Sequence, residues 1–128
     1  MHKPIQTLLA LGLALLSSCA AAAVSTAALV INEEFRNHSV TAVVPSEANF
    51  AWKSTLSTLS DLSTDMIDRD DNHMAARTKF DNATVTVHVA QYRSGETSIE
   101  VAAKQLMLYN DEVSRIVLDR IIHDLGNH

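Results

Sequence analysis

The sequence predicts one α+β domain: an antiparallel sheet of four to five strands with two helices packed on one face, preceded by a segment of different character. Three observations predict it. Short runs of β-branched residues in two-residue alternation are separated by tight-turn residues, which makes consecutive hairpins and therefore an antiparallel sheet. Two longer stretches repeat their apolar residues at helical spacing, giving amphipathic helices that need an apolar face to cover. Residues 35–125 contain neither a linker nor an internal repeat, and their number suffices for one modest core.

The elements follow in the order β-α-β-β-β-β-α. His38-Ser39-Val40-Thr41-Ala42-Val43-Val44 is β-branched and ends at Pro45, which predicts a strand. Ser46 is placed to cap a helix, in which Ala48, Trp52, Thr55, Leu56 and Leu59 recur at helical spacing. Ser63-Thr64 ends it near Leu62. Residues 64–69 and 74–80 flank the turn-rich Asp70-Asp71-Asn72 as a hairpin, and Asp81-Asn82 is a second tight turn. Val85, Val87 and Val89 alternate with Thr84, Thr86 and His88, so that this strand buries one face and leaves His88 on the other. Ser94-Gly95 turns the chain into a strand with Thr97, Ile99, Val101 and Ala103 on one side. Asn110 caps the last helix, whose first turn carries Asp111 and Glu112 at the positive end of the dipole. Val113, Ile116, Val117, Ile121 and Leu125 form its inward stripe, and Gly126 stops it.

The first 34 residues have another purpose. His2 and Lys3 precede the apolar run Leu8 to Leu16, the layout of a secretory signal peptide whose core is too short for a comfortable membrane span. The run meets Leu16-Ser17-Ser18-Cys19, which resembles the bacterial lipobox, and Cys19 is the only cysteine in the chain. The expected division is a signal peptide over 1–18, a lipidated Cys19 with an apolar tether over 19–34, and the α+β domain over 35–128. Cleavage among the alanines of residues 20–23, or an uncleaved anchor extending to Ile31, are the alternatives. Under lipidation or retention alike, the domain lies outside the cytoplasm, because the only basic flank precedes the apolar run. Ala20, where an Asp would signal inner-membrane retention, favours the outer membrane.

Composition excludes several classes. The 128 residues are 47% hydrophobic and 20% charged, with 3 Gly and 2 Pro, which argues against disorder. The net charge is −5, and no basic cluster exists to grip nucleic acid. Asp68-Arg69-Asp70-Asp71-Asn72 opens like an EF-hand loop. His73 stands where that loop needs Gly, however, and Lys79 where it needs Glu, which leaves a solvated hairpin tip. The histidines are scattered with no paired spacing, and there is neither a G-x-S-x-G elbow nor a glycine-rich phosphate loop. No catalytic residue, metal ligand or cofactor is therefore expected. Trp52, on the apolar helical stripe, is expected to be a core anchor and not a ligand-stacking residue.

Beyond these single features, the lipobox, the Ala-rich stretch after Cys19, Ala51-Trp52-Lys53-Ser54-Thr55-Leu56, Met66-Ile67-Asp68-Arg69-Asp70, Val85-Thr86-Val87 and Thr97-Ser98-Ile99-Glu100-Val101 together form a pattern. It resembles a family of small bacterial lipoproteins catalogued as a domain of unknown function. Ala51-Trp52 followed by Asp68-Arg69 is also similar, over about half of the domain, to the helix-grip domains of the C lipoprotein of the β-barrel assembly machine. The resemblance implies a helix-grip-like sheet and an accessory, non-enzymatic role. Two functions are thus expected: an anchored envelope adapter with a protein partner, or a small-ligand- or lipid-binding module. An apolar cavity under Trp52 favours the second; a filled core with an exposed apolar patch favours the first.

Overall fold

The computed structural model describes residues 33–127, so Cys19, the signal segment and the tether up to residue 32 lie outside the described residues. The elements are α1 (Glu33–His38), β1 (Val40–Val44), α2 (Ala48–Leu62), β2 (Asp68–Asp70), β3 (Ala75–Phe80), β4 (Ala83–Arg93), β5 (Glu96–Gln105), β6 (Leu108–Tyr109) and α3 (Asp111–Gly126). The six strands form one antiparallel sheet in the order β1-β5-β4-β3-β2, with β6 also paired to β5. The α+β class with an antiparallel sheet is the one the alternation and helical spacing predict.

Strand parity and register decide which residues form the core. Val87 lies opposite Ala76 on one side and Val101 on the other, while Val85 faces Thr78 and Ala103, and Val89 faces Ile99. Ala42 and Val44 of β1 carry the same face outward to Ile99 and Thr97. Helices α2 and α3 both pack here. Trp52 and Leu59 from α2 join Val113, Val117 and Ile121 from α3 and the sheet residues in one buried cluster. Between the helices, Thr58 Oγ1 donates to Asp124 Oδ2 at 2.7 Å. The N-terminus of α3 is capped as expected, with the Asn110 side chain accepting from Val113 N at 3.2 Å.

Four local expectations change. Ser46 does not cap α2: Glu47 holds the cap position without a side-chain bond, and the Ser46 carbonyl instead accepts from Thr97 Oγ1 at 2.6 Å. Residues 64–67 are irregular, so the first hairpin arm shrinks to Asp68–Asp70. Ile116 is half exposed and Leu118 buried, because either flank of the 113/117/121 row makes a continuous stripe and packing in three dimensions selects the flank bearing Ser114 and Leu118. Finally, α1 and β6 are additional elements. Glu34, assigned by the sequence to the tether, is joined to this domain through Tyr109 and Lys104.

Candidate functional site

Three of the sheet's connections are two-residue hairpin loops, and a two-residue loop demands particular backbone angles. Where both loop residues have φ > 0, the right-handed twist of the strands is matched, and Asn, Asp and Gly are the residues that tolerate it. Asp81 (φ 53°) and Asn82 (φ 62°) between β3 and β4 obey this rule, and Gly95 (φ 74°) supplies the positive angle between β4 and β5. The third loop breaks it. Leu106 (φ 51°) and Met107 (φ 70°) make the turn from β5 to β6, closed by the pair Gln105 and Leu108.

These same residues face solvent. Leu106, Met107 and Leu108 are 91%, 81% and 74% exposed, three consecutive large apolar side chains at the hairpin turn. The tip combines unfavourable backbone angles with unfavourable solvation, and such local violations concentrate where a surface has a task. Its base is firmly built. Gln105 Nε2 donates to the Asp81 carbonyl at 2.9 Å, Asn110 Nδ2 donates to Gln105 Oε1 at 3.0 Å, and Asn110 N donates to the Ala103 carbonyl at 2.8 Å. An open depression of about 410 Å³ runs beside it, lined by Gln105, Leu106, Leu108, Tyr109, Asn110 and Asp111.

The first element of the described chain is tied to this hairpin. Tyr109 Oη donates to Glu34 Oε1 at 3.1 Å, Lys104 Nζ lies 3.6 Å from the same oxygen, and the His38 ring stacks on Tyr109 at 4.0 Å between centroids. Desolvation, and then the bond to Glu34, raise the Tyr109 pKa above its ordinary value. At the other end of β5, a smaller, more enclosed apolar depression of about 250 Å³ lies between Val44, Pro45, Phe50, Ile122 and Leu125.

Within the described residues, those singled out by sequence make contacts that hold the fold together. Trp52 is 6% exposed, and its indole N–H donates to Asp71 Oδ1 at 3.0 Å. Arg69 Nη2 and Nε reach that oxygen at 2.8 and 3.1 Å. The Arg69 bond first, and the Trp52 bond second, hold the Asp71 carboxyl below the usual carboxylate range. Asp70 Oδ2 pairs with His73 Nδ1 at 2.8 Å. The acidic turn is therefore a hitch between β2 and helix α2, where the sequence suggested only a solvated tip; the partner, Trp52, is nineteen residues earlier and invisible to local pattern. Among the described residues no three His, Cys, Asp or Glu side chains are grouped to hold a metal ion.

His88 is likewise not the open sheet position expected. Its Nδ1 lies 3.1 Å from Glu100 Oε1, directly across the β4–β5 ladder, and both side chains are largely buried. The His88 bond lowers the Glu100 pKa, outweighing desolvation, with the Arg36 charge adding to it. The sheet's second face is thus partly buried, as Ala75 and Ala102 confirm. On α3, the Thr58 bond leads the causes that lower the Asp124 pKa, followed by His123 and Arg120. No family model matches this chain. A search of curated proteins gives no match either.

Proposed function

We propose that the protein is a membrane-anchored lipoprotein of the cell envelope, held through Cys19, which works through its surface as an accessory module and performs no chemistry of its own. The observation that carries the surface reading is the combination of a helix–sheet core in which Trp52 is buried with the apolar tip at Leu106, Met107 and Leu108. Trp52 fills core volume and spends its polar edge on Asp71, so it is not held ready to stack on a ligand. Among the described residues the titratable groups that depart from their ordinary values are Asp71, Glu100, Tyr109 and Asp124, and each has a bonded partner within the fold.

The rival reading, a small-ligand or lipid-binding module, has the Phe50 depression in its favour. At about 250 Å³ it falls below the roughly 300–1,000 Å³ usual for ligand pockets, and the depression beside the β5–β6 hairpin, about 410 Å³ and so within that range, is the more open to solvent of the two. The anchor and the envelope location rest on the signal-like core and on Leu16-Ser17-Ser18-Cys19. Labelled palmitate and intact-mass measurement of the membrane fraction test them. Acyl mass on a chain beginning at Cys19, abolished in Cys19→Ser with precursor accumulating, is the expected result. A mature chain that begins after Cys19, or carries no acyl mass, would overturn the anchor.

A further inference from the structure

We infer that the β5–β6 hairpin tip is a membrane prong: Leu106, Met107 and Leu108 insert into the lipid surface and fix how the domain stands on the bilayer. This rests on the anchored reading above and adds to it the occupant of the apolar tip.

Where the chain enters the domain makes lipid the occupant. Helix α1 is fastened to the hairpin by the Glu34 contacts to Tyr109 and Lys104 and by the His38–Tyr109 stack. The chain coming from the anchor therefore reaches the domain next to the prong. Glu33 is fourteen positions after Cys19, which limits its distance from the anchor to about 50 Å even at full extension and to less in any compact form. The shape points the same way. A protein partner would need a socket matched to three exposed side chains at a hairpin turn, whereas a fluid acyl layer accepts any exposed apolar turn. Leu-Met-Leu has the unbranched and γ-branched bulk for that layer. The next residues inward, Tyr109 and Lys104, have an apolar body and a polar end suited to the headgroup level. Asp111 lines the depression at the base, so insertion is apolar in character and does not depend on anionic headgroups. The backbone fits the same task. Asn-Gly would relieve the turn, but it would also remove the apolar side chains that lipid contact requires.

The test is photocrosslinking of the full chain in its native membranes, with benzoylphenylalanine in place of Met107 or, separately, of Ser94. Ser94 is exposed at the opposite end of β5, about 33 Å away along the strand. The same samples are weighed for acyl chains. Phospholipid adducts at position 107 and none at 94 are expected. With the probe moved to Leu108, the adduct yield should fall severalfold in the Leu106→Asn/Met107→Gly background, which excludes affinity contributed by the probe alone. Absence of lipid adducts at 107, or protein adducts in their place, overturns the prong. An undiminished yield at 108 in that background overturns it also. The acyl mass decides the anchor separately: acylated protein without lipid adducts at 107 fells the prong and leaves the anchor, and non-acylated protein with those adducts does the reverse.

Discussion

Replacing Leu106 and Met107 by Asn and Gly should make the protein more stable, although it deletes two large apolar side chains. Both residues hold positive φ, a conformation that costs an L-residue about 1–2 kcal/mol. Two of them carry about 2–4 kcal/mol of such cost, most of which Asn and Gly remove. Against this, Gly gives the unfolded chain extra freedom worth about 0.4–1 kcal/mol. Little packing is lost, since the side chains are 91% and 81% exposed. The net gain is about 1–3 kcal/mol, and each kcal/mol should raise the Tm of a domain this size by roughly 4–8 °C. Thermal unfolding followed by circular dichroism, on the full chain in one detergent, measures it. Asp81→Asn/Asn82→Gly is the internal control, because that turn already has tolerant residues at the same angles. It should gain far less. Equal gains at both turns, or a lower Tm at Leu106/Met107, would refute the assignment of strain to this hairpin.

Trp52→Ala should destabilise by roughly 3–5 kcal/mol through the cavity it leaves, enough to unfold a small domain at moderate temperature; an unchanged Tm would contradict the core role. Asp71→Asn retains an acceptor for the Trp52 indole and should lower the Tm less than Asp71→Ala, a ranking that thermal melts of the two variants read directly. The Glu100 pKa is lowered in the fold, so its contribution is complete above the ordinary value of 4.5 and is lost as pH falls through the lower folded value. The Tm difference between wild type and Glu100→Gln should therefore be at its full value above pH 4.5 and shrink on acidification below it. A difference constant from neutral pH to about pH 3 would assign it to shape and not to charge.

The sequence by itself determined the elements whose cause is local. Val85-Thr86-Val87 alternates because one face is buried; Asp81-Asn82 and Ser94-Gly95 turn because their backbones tolerate the angles; and Asn110 caps because its side chain reaches the third N–H beyond it. These contacts span a few residues, so a short window contains all of the physics. The same window misled at Leu106-Met107, where apolar residues occupy a turn that local chemistry disfavours, and β6 and the apolar tip were lost with it. Tertiary structure alone decided the remainder. The flank of α3 that turns inward, the hitch of Asp71 to Trp52, the pairing of His88 with Glu100, and the clasp of Glu34 on Tyr109 all join residues distant in the chain or choose between locally equal options. Such choices are set by what the rest of the fold places opposite a side chain, and no propensity or spacing along the chain encodes that.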